Sequence, residues 1–468
     1  MIHNDGAWRV YSRKADTIDS AYKQSHSVQG LDGCRIKVSA LDQEMAQGDS
    51  SSWQVAVNLI KCAVGAGSFS LPAAWRAAGF WAALWLTVSL GALAALTACM
   101  LVACEHRMSR EAGRRLTYPE LLLFAFPGKW GSILHASAVG GIFLTSVGVC
   151  VAYVDFIVGV LTGMLHWSQY KVMLLISPCV LGLALLESFR YLAFTSILGD
   201  IAVLAGLVGT VSFGIAQGAS FASPSSLPAV NVTELPQAAG NIAFLFLIHA
   251  VILPIAQSLR SAPPTKRVLS FEDPDAVHSV GIDVGGVTDI VGTDTPLAGP
   301  FASVAWGSYA VITLGNVAFG GICYALFTDR TAPNVLQNLQ SGSVGVTVIQ
   351  LLLCVDLLFT IPMVLAAGRE LCEGYALSST LGAIHEGLTR TLTRLVLVLL
   401  IFGLADAIPS FGDVVSLIGG FSNSLLGLIL PPLLHSPRRL SPVHLISLLG
   451  MVLLISSTFF TIKGMWGS

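Results

Sequence analysis

The stretch NLIKCAVGAGSFSLPAAW, residues 58–75, places Gly65 and Gly67 in the middle of an apolar run, with Pro72 just behind them. About 20 apolar residues cross a hydrocarbon core as a helix, and inside that core every backbone amide must find a partner. A crossing interrupted at mid-depth is therefore tolerated only where it lines a cavity or packs on protein. One reading is a half-helix beginning near Ser68 that turns free amides and its positive dipole end toward an anionic group, while carbonyls released near Ala63 and Val64 receive a cationic one. The other is that Gly65 and Gly67 admit a neighbouring helix at close range, as small residues do in membranes.

Outward from that run, apolar stretches of crossing length fall at about 54–76, 79–104, 132–161, 172–187, 195–217, 239–259, 303–327, 343–367, 391–408, 411–434 and 443–463. The expected fold class is an all-α integral membrane protein with about eleven transmembrane helices. The sixth stretch contains FLFLIHAVILPIAQSL (244–259), with His249 near its centre and Pro254 about a turn later. Interruptions in the first and sixth crossings divide the chain into two five-helix halves, about 54–217 and 239–434, followed by an eleventh helix at 443–463. That arrangement is the pointer to a five-plus-five inverted-repeat transporter fold with broken helices one and six.

Hydrophobic residues make up 54% of the chain and charged ones 11%, against roughly a quarter charged in a soluble domain, so a water-soluble fold is excluded. The formal net charge of −2, with Lys and Arg in short clusters between apolar stretches, gives no basic face for nucleic acid. Lipid and small solutes are the expected partners. Residues 1–50 hold no apolar core of signal-peptide length and read as a flexible cytosolic tail. With the N-terminus in the cytosol, that side carries twenty Lys and Arg and the far side four, Arg76, Lys171, Arg330 and Lys463, which fixes the orientation. The one N-x-S/T sequence, Asn231-Val232-Thr233, then falls in a non-cytosolic loop, so that Asn231 is a candidate glycosylation site. The connection over about 261–302, rich in Gly, Asp and Val, reads as a surface insertion.

Ionisable residues at mid-membrane are costly and mark function or a specific partner. Lys61 lies a turn before Gly65, about 10 Å into its crossing; it either snorkels to the interface or takes the place of a coupling cation. Asp356 and Thr360, four apart on one helix face, offer a carboxylate and a hydroxyl to an ion, a proton or Lys61. Asp155 and Asp200 are further carboxylates within crossings, while Asp406 and Asp413 flank a turn and read as solvated. His249 either titrates or rests on a backbone carbonyl. The nine cysteines show no metal-site spacing and read as buried apolar groups without disulfides.

At this point several segments resemble one family. They are residues 58–75, CVAYVDFIVGVL (150–161), SFRYLAFTSILGDIAVL (188–204), LPIAQSLRSAP (253–263) and IPSFGDVVSLIGGFSNSLLGLILPPLLH (408–435). They are similar to the amino acid/auxin permease family, which includes proton-coupled, vesicular and vacuolar amino acid transporters, and the likeness runs over residues 54–463. The resemblance implies alternating access and co-transport with a proton or sodium. Matched residue by residue, the backbone of Gly65, Ala66, Gly67 and Ser68 would bind substrate opposite Phe246 in span six. Thr360, in FTIPMVLAAGRE (359–370), would fall at the sodium position where one exists. Sodium-using members tend to carry Asn where this chain has Lys61, and proton-coupled members Lys. The chain departs from the pattern where many relatives have Glu-Gly, here Leu247 and Ile248, and a second Glu, here Ala256. His249 is the group at hand to compensate.

The activity expected is thus secondary active transport of small neutral amino acids, with a proton as coupling ion and sodium as the alternative. Lys61, Asp356 and Thr360 are the expected coupling residues. Ala63 to Ser68, Phe246, Leu247 and His249 are the expected substrate contacts. A sodium-coupled or auxin-like permease and a transporter-like amino acid sensor are the rival readings. No nucleophile, paired-carboxylate or His-box constellation suggests an enzyme, and no cofactor is expected. The membrane is expected to be the plasma membrane or that of a vacuole or lysosome.

Overall fold

The computed structural model describes residues 50–185, 192–216, 218, 221–259, 299–339, 343–377, 385–408, 410–437 and 441–466, with side-chain surroundings in the helix Leu192–Ala216 given from Gly199 onward. The tail to residue 49 and the connection over 260–298 lie outside these residues. The first crossing is split into α1 (Ser52–Ala63), a 3-10 turn (Ala66–Ser70) and α2 (Leu71–Ala78), bent by 44°. Then come α3 (Phe80–Ala112), the short α4 (Tyr118–Ala125), α5 (Lys129–Leu165), α6 (Gln169–Ala184) and α7 (Leu192–Ala216). The second half opens with another split crossing, α8 (Leu235–Phe246) and α9 (His249–Gln257), followed by α10 (Pro300–Phe327), α11 (Val344–Leu377) and α12 (Glu386–Ala407). Its last crossing combines α13 (Phe411–Leu417), π-helical turns over Ile418–Asn423 and Leu425–Ile429, and α14 (Leu430–His435); α15 (His444–Trp466) is the final helix.

All eleven expected crossings are matched by helix. Among the described residues nine helices are long and apolar enough to span a membrane, the bent first pair adds a tenth, and α6, 16 residues long, fills the fourth expected crossing while falling short of that length. Large apolar side chains such as Leu174, Val396 and Leu448 stand exposed on the outside of the bundle. A lipid-facing surface accounts for them, because hydrocarbon tails solvate leucine as well as a core does. Two thiols depart from the expectation: Cys62 and Cys179 are exposed rather than buried.

Two apolar cores divide the bundle. One gathers side chains from α1, α2, α3, α8, α9 and α10. The other gathers α5, α6, α11, α12 and α13. The first crossing straddles the seam between them, since Ala63 and Leu71 belong to the first core while Ala66 and Phe69 belong to the second.

At one end of the bundle the turn from α2 into α3 is locked to the segment before α8. Gly79 sits at φ +86°, and an added Cβ would stand 2.8 Å from the Pro228 carbonyl oxygen, so both conformation and space demand glycine there. Phe80 and Ala82 donate to the carbonyls of Pro228 and Ala229, and Asn231 donates to Ala78 (2.8 Å). At the opposite end, Ser50 donates to the Ser258 carbonyl (2.9 Å) and joins the chain entering α1 to the exit of α9. Close by, Gln257 donates to the buried Glu105 of α3 (3.1 Å), which also accepts from Ser109 (3.0 Å).

Candidate functional site

The first break has a local cause. After Ala63 the chain turns extended at Val64 (φ −101°, ψ 101°) and Gly65 (φ −153°, ψ −155°), then re-enters helix through the 3-10 turn, with Pro72 in the first turn of α2. Proline is at home there because its missing amide would have no helical partner. The two glycines do different work. A Cβ on Gly67 would come within 2.5 Å of the Phe244 ring and 3.0 Å of Leu245, so Gly67 admits the last turn of α8. A Cβ on Gly65 would meet nothing within 4 Å, so Gly65 borders open space. Of the two readings of the sequence, close packing holds for Gly67, while Gly65 is left beside open space.

The second break falls at Leu247 and Ile248, ahead of His249, and Pro254 lies inside α9 without being the interruption. The carbonyl of Phe246, released there, accepts from the Tyr309 hydroxyl of α10 (3.1 Å). The side chains expected at this break are largely turned into the protein. Phe246 is fully buried, within reach of a Cβ on Gly91 of α3 (3.2 Å), and Leu247 packs against Gly427 in the π-helical segment. His249 Nε2 bonds the Thr97 hydroxyl of α3 (3.0 Å), which replaces the expected backbone carbonyl. Its Nδ1 lies beside Gly427, 3.0 Å from where a Cβ there would stand.

Lys61 pairs with Asp200 rather than with Asp356. Its Nζ lies 2.8 Å from Oδ2 of Asp200 on α7, both side chains being partly exposed, at 35% and 48%. Asp356 comes to the same junction from α11, where a Cβ on the neighbouring Gly199 would collide with its carboxylate oxygen Oδ1. Lys61 and Asp200 are the charged groups that act on Asp356, and Thr360 donates to the Asp356 carbonyl at 2.9 Å and lies 3.5 Å from its carboxylate. Three helices thus deliver one ammonium and two carboxylates to a point one turn ahead of the first break. Sequence reading found Lys61, Asp356 and Thr360 but not the part played by Asp200. The one available signal was its place in a crossing.

Other expectations fare differently. Asp413, read as solvated, lies in the first turn of α13, where its carboxylate accepts from Gln237 of α8 (2.8 Å) and from Ser410 (2.7 Å), the residue that caps that helix. Asp406 is exposed, as expected. Asn231 is half-buried with its backbone amide engaged, while Val232 and Thr233 are exposed. At the end opposite Ser50, Arg76 of α2 donates to the carbonyls of Thr331 (2.7 Å) and Asp329 (3.3 Å). It thereby anchors a loop whose Val335 and Leu336 are fully buried. Among the described residues, no group of three or more His, Cys, Asp or Glu could hold a metal ion.

The chain is similar to known proteins over most of its length. The family model described as "Transmembrane amino acid transporter protein" matches residues 48–272 and 298–465. The Arabidopsis thaliana protein "Amino acid transporter ANT1" is 27% identical over 84% of this chain and 86% of its own length. The Drosophila melanogaster "Proton-coupled amino acid transporter-like protein pathetic" is 23% identical over 80% of this chain and 74% of its own. Among solved structures, the inward-facing conformation of Mhp1 superposes with a TM-score of 0.50 at 12% identity, covering 90% of this chain and 91% of that one. This is a likeness of fold.

Proposed function

Because this chain belongs to the transmembrane amino acid transporter family, we propose that it moves small neutral amino acids across a membrane by alternating access and draws on protons to do so. The observation that carries the coupling is the Lys61–Asp200 pair beside Asp356. One ammonium facing two carboxylates leaves one negative charge uncompensated among apolar helices, where such a charge is costly. A single proton taken up at the junction removes it. Lys61 and the open backbone at Gly65 belong to the same short segment, so a change of pairing at Lys61 is felt where substrate binds. The name of the Drosophila relative supports the proton-coupled reading.

Substrate stands in the space beside Gly65, at the seam between the two cores. Neutral side chains suit it, since Phe246, Leu247 and Ile248 bring no carboxylate to the second break. The end bearing Ser50 faces the cytosol, as the excess of Lys and Arg on that side requires. Arg76 and the loop it anchors then close the far side in this conformation, and the exposed Val232 and Thr233 lie on the face where Asn231 would carry a glycan.

Uptake of a panel of radiolabelled amino acids into proteoliposomes, under an imposed proton gradient, a sodium gradient or neither, tests the reading. Uptake driven only by the proton gradient, and lost in Asp200→Asn or Asp356→Asn, is the expected result. Uptake driven by sodium overturns proton coupling, and binding without uptake under every gradient overturns transport.

A further inference from the structure

The stretch that ends α3 and leads to α4 carries Arg107, Arg110, Arg114 and Arg115 against a single carboxylate, Glu111, and all four arginines are exposed. It lies at the end of the bundle that bears Ser50, since Ser50 binds the carbonyl of Ser258 and the neighbouring Gln257 donates to Glu105. The connection itself is held firmly. Gly113, at φ +66°, ends α3, and the Leu116 amide turns back to the Ser109 hydroxyl (3.0 Å). The amide and hydroxyl of Thr117 both donate to Glu120 (2.9 and 3.0 Å), and the buried Tyr118 donates its hydroxyl to the Leu426 carbonyl. Residues 115–119 therefore form a fixed wall.

Between that wall, α5 and α9 lies a cleft of about 230 Å³. Leu116, Pro119, Ile142, Ala250, Leu253 and Pro254 give it a hydrocarbon lining. Thr117, Tyr118 and Gln257 also line it, but each already has a hydrogen bond within the protein. Arg115 is the charged residue of the lining, and its exposure puts it at the mouth. The three elements that frame the cleft also present apolar side chains on the outside, Leu123 on α4, Ile133 on α5 and Val251 on α9.

A free anion gains nothing from such walls, and a neutral hydrocarbon gains nothing from Arg115. A molecule with an anionic head and a hydrocarbon chain gains from both, and basic pockets between helices on the cytosolic side of a membrane hold lipid headgroups in this way. We propose that the cleft is a binding site for an anionic phospholipid of the cytosolic leaflet, with its phosphate beside Arg115 and an acyl chain against Ile142, Leu253 and Pro254. The site rests on the orientation given above and not on transport. Because α9 is the half-helix that follows the second break, bound lipid ties it to α4 and α5 and stabilises the conformation described here.

The experiment is thermal unfolding of the full-length protein in nanodiscs of phosphatidylcholine, with and without phosphatidylserine. Each variant in phosphatidylcholine alone serves as its own reference, so a folding defect is seen separately. Wild type is expected to melt higher when phosphatidylserine is present. Arg115→Gln, which removes the cation, and Ala250→Leu, which fills the cleft, are each expected to reduce that rise by about half or more. Arg115→Lys and Arg110→Gln, the second lying outside the lining, keep most of it. No rise in wild type overturns the site, and so does a full rise in both Arg115→Gln and Ala250→Leu. Equal losses in Arg110→Gln and Arg115→Gln mean diffuse attraction to an anionic surface and overturn it as well. Water-soluble glycerophosphoserine that raises the melting temperature as much as the lipid reduces the site to an anion contact. A rise that appears only after deletion of residues 1–48 means that the chain's own tail occupies the cleft. Either outcome overturns the proposal, and none depends on whether the protein transports.

Discussion

Lys61 on α1 and Asp200 on α7, separated by 139 residues in sequence, are joined by a 2.8 Å ion pair. The pair ties the broken crossing to the last helix of its own half, and Asp356 from the other half stands beside it. Removing one charge leaves its partner without compensation, whereas removing both does not. Asp200→Asn and Lys61→Met are each expected to lower proton-driven uptake by about tenfold or more, because an unpaired charge within a crossing is costly. The double variant should recover folding yield but not proton dependence, as uptake in proteoliposomes with and without the gradient will report.

Gly199→Ala places a methyl group where the Asp356 carboxylate stands. The carboxylate has to leave the junction, so proton-driven uptake is expected to fall while binding of substrate at equal pH on both sides persists. Gly206→Ala on the same helix, which crowds only Phe69 and Leu353, is the control for a general packing defect.

The two glycines of the first break should respond in opposite ways. Gly67→Ala overpacks the contact with Phe244 and Leu245 and is expected to cost about 1–3 kcal/mol, the usual range for an added methyl group in a filled core. Gly65→Ala meets only open space, so thermal stability should hold while the KM for substrate changes. Thermal unfolding and uptake kinetics on the same preparations check both.

Tyr309→Phe removes one of the two donors to the Phe246 carbonyl at the second break, the other being the Ile248 amide at 3.0 Å. Losing one hydrogen bond while the acceptor keeps another costs about 0.5–1.5 kcal/mol, which should appear as a modest fall in melting temperature. Phe246 and Leu247 lie with their side chains packed away from the first break, so the KM effect should be smaller than for Gly65→Ala.

Glu120, in α4 outside the crossings, supplies a pH dependence. Burial acts to raise its pKa, but hydrogen bonds from Arg114 and Thr117 outweigh that and hold the carboxyl below its ordinary value. A carboxyl depressed in the folded state stabilises the fold above its unfolded pKa of about 4.3, and that contribution is lost as pH falls through the lower folded value. Wild type should therefore exceed Glu120→Gln in thermal stability at neutral pH, and the difference should shrink progressively below about pH 4.

Much of this molecule was legible in order of residues. The crossings follow from runs of apolar side chains, because the length of a helix and the thickness of a hydrocarbon core are both fixed. The first break follows from Gly65, Gly67 and Pro72, whose backbone preferences act locally. The second was read as an interruption near His249 and Pro254, and lies at Leu247 and Ile248 instead. A proline within a helix can be absorbed by a bend, so its position alone does not mark where the chain unwinds.

What the tertiary structure alone decided is which groups meet. In sequence Lys61 had two equal prospects, the interface or the place of a coupling cation, with Asp356 offered as a partner; only the placement of α7 gave it Asp200. Gly65 and Gly67 were alike as residues, and only the approach of Phe244 made one a packing contact and left the other beside open space. His249 and Asp413 found side-chain partners on other helices, Thr97 and Gln237. The physical reason is one of range. Hydrophobic length and backbone preference act over a few residues and can be read along the chain, whereas an ion pair or an unserved donor depends on distances of about 3 Å between helices that sequence order keeps far apart.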